Sequence, residues 1–131
     1  MTKEEKKNIA AVLKMQKTLI DSIYNSCKEN AEIFEVNYVP TNYVGMIGDV
    51  ALDSLTTSLE GNLKLMKDGK EKKMVEDILA MNAKAIDTIK SQSNKSAKDF
   101  NVDYVPIKVL KTICDNTWTV LESGLKEGFG N

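Results

Sequence analysis

The chain has 131 residues, 42% of them apolar and 28% charged, a balance that suits one globular domain with a sizeable core and excludes a disordered segment. A formal net charge of −1 gives no electrostatic drive toward nucleic acid or an anionic membrane, so no nucleic-acid partner is expected. Histidine and arginine are both missing, which removes the usual general base near neutral pH, the commonest transition-metal ligand and the bidentate fork for phosphate or guanine.

Thr2 followed by Glu5 has the form of a capping box and opens a helix near Lys3. Its apolar stripe is Ile9, Val12, Leu13, Leu19, Ile20, Ile23, Cys27 and Ala31, with steps of three and four that only a helix satisfies. No apolar stretch behind the polar N-terminus is long enough for a signal peptide, and no run approaches the ~18 apolar residues of a membrane span. A cytoplasmic protein is the resulting expectation. Phe34-Glu-Val-Asn-Tyr-Val-Pro40 follows, an alternating segment whose β-branched valines and closing proline predict a short extended corner. The proline then suits the first turn of a second helix, from about Pro40 to Met66 through Val44, Ile47, Ala51, Leu55 and Leu59. Gly45 and Gly48 in that helix leave room for a close backbone approach.

Asp68-Gly69 marks a break, and a third helix opens near Lys70 with the stripe Val75, Ile78, Leu79, Ala85, Ile86, Ile89 and Ala97. A second corner, Phe100-Asn-Val-Asp-Tyr-Val-Pro106, leads into a fourth helix. It runs from about Pro106 to Lys126 through Leu110, Ile113, Thr117, Leu121 and Leu125, and Gly128-Phe129-Gly130-Asn131 is expected to fray.

The second half restates the first at a constant offset of 66 residues. Between Glu5 and Leu65, 18 of 61 positions are identical to their counterparts without a gap. The chain therefore reads as a single domain, 1–131, with an internal duplication of 1–66 in 67–131. The expected fold is all-α, an antiparallel four-helix bundle of two tandem αα-hairpin repeats, with short extended connections at one end. In an up-down-up-down arrangement both corners become neighbours around a pseudo-twofold axis. The alternative leaves each hairpin open and pairs two chains.

Candidate sites come in pairs. Phe34, Tyr38, Phe100 and Tyr104, with Val36 and Val102, gather aromatics at one end, either as a cleft for an apolar or peptide ligand or as a plug for the core. Asp21 and Asp87, and Asp49 and Asp115, are carboxylate pairs. Ordinary ion pairs with Lys17, and with Lys84 or Lys90, explain the first pair; the helix dipole would favour the second. No metal site and no cofactor follow from them. Trp118 and its counterpart Leu52 widen the apolar face of the second and fourth helices, toward the core or toward a partner. Met15 and Met81 read as adaptable core filler. Cys27 and Cys114 occupy non-equivalent positions, facing Ser93 and Gly48 in the repeat, and read as buried free thiols.

Glycine-rich phosphate loops, Gly-x-Ser-x-Gly and Cys-x-x-Cys are missing, and no catalytic residue is assigned. The leading expectation is a non-catalytic protein-interaction module (a regulator, adaptor or inhibitor) that binds another protein or self-associates as a homo-oligomer. The alternative is a binder of an apolar small molecule, or a coat on a membrane or other lipid-like surface.

Overall fold

The computed structural model describes residues 3–63 and 69–129, with backbone only at 4–6, 8, 9, 12, 59–63, 70, 71, 74, 75 and 125–129. Four helices account for nearly all of it: α1 (Lys3–Ile33), α2 (Thr41–Leu63), α3 (Gly69–Asp99) and α4 (Ile107–Phe129). Between α1 and α2 lies the three-residue strand β1 (Tyr38–Pro40), and between α3 and α4 its counterpart β2 (Tyr104–Pro106). Each helix packs on its chain neighbour, and α1 also packs on α4, so the packing order closes into a ring. Among the described residues no helix is long and apolar enough to cross a membrane.

The corners end their helices by the same device. The N–H of Val36 donates to the carbonyl of Ala31 and that of Glu35 to Glu32; Val102 donates to Ala97 and Asn101 to Lys98. This is the Schellman pattern, which satisfies the last carbonyls of a helix with one left-handed residue. Glycine usually fills that position, yet here it is Glu35 (φ 55°) and Asn101 (φ 56°). Asparagine tolerates the geometry, whereas a glutamate there costs about 1–2 kcal/mol.

The strands then meet. β1 and β2 pair antiparallel, with Val39 opposite Val105, Tyr38 opposite Pro106 and Pro40 opposite Tyr104, so the ribbon is symmetric about the valine pair. Both valines point inward and are fully buried. The first N–H of α2, on Thr41, donates to the carbonyl of Asp103, and that of α4, on Ile107, donates to Asn37. Each helix start is thus satisfied by the opposite corner. The prolines close the strands one residue ahead of the helices they were expected to begin.

The core is the stripe pattern realised. Leu19, Ile20, Ile23, Cys27 and Ala31 are buried on α1, Ile78, Ala85, Ile86, Ile89 and Ala97 on α3, and Val44, Leu110, Ile113 and Leu121 on α2 and α4. Leu13, Ile47, Ala51 and Leu55 are half-buried against them. A Cβ on Gly48 would stand 3.2 Å from Ile86 Cγ2, so glycine there permits the approach of α2 to α3. Gly45 has more room, with Lys90 Cε at 3.7 Å. Of the tail expected to fray, Gly128 and Phe129 belong to α4. The Thr2 cap, Met66, Asp68 and the last two residues lie outside the described residues, as do the side chains of Ile9, Val12, Leu59, Val75 and Leu125.

Candidate functional site

The two corners carry four of the predicted site residues, and the ribbon brings two of them, Tyr38 and Tyr104, together. Because alternate strand residues face opposite ways, Val39 and Val105 face the core while Tyr38 and Tyr104 lie on the other side. Their rings stack diagonally across the ribbon, centroids 4.2 Å apart and planes inclined by 33°. Both are half-buried. Phe34 and Phe100, at the helix-ending turns, do not plug the core: they are 68% and 73% exposed, and Ile33 beside them is 76% exposed. The plug consists of the two valines. The corners also carry exposed charges of both signs, the carboxylates of Glu32, Glu35, Asp99 and Asp103 and the ammoniums of Lys98 and Lys108.

Trp118 and Leu52 lie elsewhere. Trp118 follows the start of α4 by eleven residues, about 16 Å along the helix, and both side chains are half-buried against the core. The Lys17 ammonium sits 5.8 Å from the Trp118 ring centroid and 3.5 Å from Asp21. Asp87 forms no such pair with Lys84 or Lys90. Lys90 instead reaches across from α3 to Asp49 of α2 at 2.9 Å, passing over Gly45. On the opposite side the arrangement is inverted. Lys111, at the position matching Gly45, lies 5.4 Å from the ring centroid of Tyr24, which matches Lys90, and pairs with Asp115 at 3.6 Å. The dipole reading of Asp49 and Asp115 fails, because neither lies in the first turn of its helix. Among the described residues no group of three or more Cys, Asp or Glu is placed to hold a metal ion.

Two clefts run between the paired helices at matching positions. One, of about 300 Å³, lies between α3 and α4 over Met81, Ala85 and Leu121. The other, wider and about 680 Å³, lies between α1 and α2 over Met15, Leu19 and Leu55. Met81 is half-buried against the core as well as on the wall of its cleft, whereas Met15 is 37% exposed. Val120, on the lip of the α3–α4 cleft, is 74% exposed.

No known family, curated protein or solved structure matches this chain. Its chemistry must be read from its own side chains.

Three of these escaped sequence reasoning. Gln16 and Asn82, which stand 66 residues apart, are 1% and 0% exposed, and Ser93 is 1% exposed. None of their buried side-chain oxygens or nitrogens has a hydrogen-bond partner among the described residues. A signal was available, since a stripe stepping through 13, 20, 23 and 27 needs a member at 16, and one through 78, 86 and 89 needs a member at 82. The thiols of Cys27 and Cys114 are buried and free. Burial pushes each up to about 12; for Cys114 the neighbouring Cys27, Asp115 and Asp21 add to that rise and Lys111 opposes it. Neither is a nucleophile near neutral pH.

Proposed function

We propose that the chain is a duplicated helical hairpin closed into an antiparallel four-helix bundle, and that it works as a non-catalytic interaction module whose binding face is the ribbon end. The observation that carries this is the pair of exposed phenylalanines, held at matching corners beside a tyrosine stack. Burying each phenylalanine would contribute about 1.5–3 kcal/mol, which the isolated chain forgoes. Aromatic centres with polar rims are the anatomy of protein interfaces.

Selection of a random peptide-display library against the protein tests this. Enriched peptides should share large apolar residues, and their affinity should depend little on salt. The double variant Phe34→Ser/Phe100→Ser should lose them while keeping its helicity. Peptides that bind this variant unchanged would refute the assignment, and sedimentation velocity would show whether the same face joins two copies instead. The second reading, an apolar-ligand binder, is supported by the twin clefts.

A further inference from the structure

The four helices divide into two close pairs, and these pairs are not the two halves of the duplication. Between α2 and α3, Gly48 lets the backbones approach and Lys90 bridges to Asp49 at 2.9 Å. The surface groove on that side, about 510 Å³, runs past this ion pair. Between α1 and α4, Lys17 and Lys111 reach the rings of Trp118 and Tyr24, at 5.8 and 5.4 Å from their centroids. Between α1 and α2, and between α3 and α4, lie instead the two apolar clefts, of about 680 and 300 Å³. Both clefts therefore fall on one plane, which separates α1–α4 from α2–α3.

The path of the chain follows the same division. It passes from α1 to α2 through the corner that holds β1, and from α3 to α4 through the corner that holds β2. Both crossings of the plane are thus at the ribbon, which ties them together, while the link from α2 to α3 stays inside one pair. Gln16 on α1 and Asn82 on α3 belong to different pairs, and each lies beside residues that line a cleft. Both are fully buried and unpartnered among the described residues. Separating the pairs hydrates both carboxamides at once. At the usual cost of an orphaned polar group, each favours an opened state by about 5- to 150-fold. Burial of Ile20, Ile23, Ile86 and Ile89 between the pairs opposes this, so the opened state is a minor one.

We infer that the bundle opens like tweezers along the plane between α1–α4 and α2–α3, with the ribbon as its hinge. Parting the two repeats instead would break the Lys90–Asp49 bridge and both lysine–ring contacts, whereas this motion leaves all three intact. It is independent of the ribbon-end interface, because the hinge itself stays folded.

The buried free thiols of Cys27 and Cys114, both in the α1–α4 pair, are internal probes: each reacts with dithiobis(nitrobenzoate) only when exposed. The variant Thr18→Cys/Ser54→Cys places new thiols at exposed positions on opposite walls of the α1–α2 cleft. Joining them with a short bismaleimide should slow labelling of the native thiols at least about tenfold relative to the unjoined variant. The same crosslink in Asp21→Cys/Asp115→Cys, at exposed positions of α1 and α4, lies within one pair and should leave the rate within about twofold. Gln16→Met and Asn82→Leu should each slow labelling about fivefold or more. The second crosslink closes the longer loop, so it protects more strongly against global unfolding. Equal or greater slowing by that crosslink would show that labelling follows global unfolding and would overturn the inference. Labelling that neither crosslink slows, or that either carboxamide variant accelerates, would overturn it as well.

Discussion

Replacing the two buried carboxamides with apolar side chains of similar shape, Gln16→Met and Asn82→Leu, should make the protein more stable. Both residues are fully buried, and all four of their polar side-chain atoms lack a partner among the described residues. An orphaned buried polar group costs about 1–3 kcal/mol. Each substitution removes such a carboxamide with little change in volume, so each should add roughly 1–3 kcal/mol, less any repacking strain. Together they should add roughly 2–6 kcal/mol, a large increment on the 5–15 kcal/mol typical of a domain. Urea unfolding followed by far-ultraviolet circular dichroism measures this as a rise in midpoint at constant slope. The double-mutant cycle decides the reasoning: unpartnered amides act separately, so their effects should add to within about 0.5 kcal/mol. Single variants that destabilise, with the double variant recovering the loss, would show that the two amides bond to one another or to a shared water, and would refute it.

Glu35→Gly should stabilise by about 1 kcal/mol, because glycine adopts the left-handed conformation without steric cost, and Asn101→Gly should gain less; chemical denaturation of both variants checks the order. The buried thiols should make stability fall in alkali. Each stays protonated in the fold up to about 12 but ionises near 9.0 when unfolded. Their contribution is therefore intact below pH 9 and is lost as pH rises from 9 toward 12, by up to about 1.4 kcal/mol per pH unit for each thiol. Denaturation from pH 8 to 10 should show this slope in the wild type and not in Cys27→Ala/Cys114→Ala; equal slopes would refute it.

The helices, corners and their meeting at one end were legible because each has a local signature: three-and-four stepping for the stripes, alternation before proline for the strands, and a constant offset joining the halves. What could not be read was the direction of individual side chains at the corners. Phe34 and Val39 are both apolar residues within one short segment, but the helix-ending turn sends the phenylalanine to solvent while the pleat sends Val39 inward. Met15 departs from the expected core position for a related reason. Met15 and Met81 flank the stripe, and only the small residues on the facing helix, Ser58 and Gly124, turn their surroundings into a cleft. Polarity hides Gln16 and Asn82 from a reading of apolar stripes, although their spacing puts them inside. The carboxylates show a further limit: Asp49 pairs across helices with Lys90, a partner forty-one residues away that no local pattern announces.

The exchange of hydrogen bonds at the ribbon, Thr41 to Asp103 and Ile107 to Asn37, has a consequence for how the chain assembles. Neither corner is complete by itself, since the first donor of each short helix finds its acceptor in the other half. A fragment ending at Leu63 would carry one valine of the buried pair and one open strand edge, and could repair both only by finding a second fragment. Covalent continuity between the halves replaces that search with an encounter at high effective concentration. It also removes the dependence on dilution that an assembly of two separate hairpins would suffer.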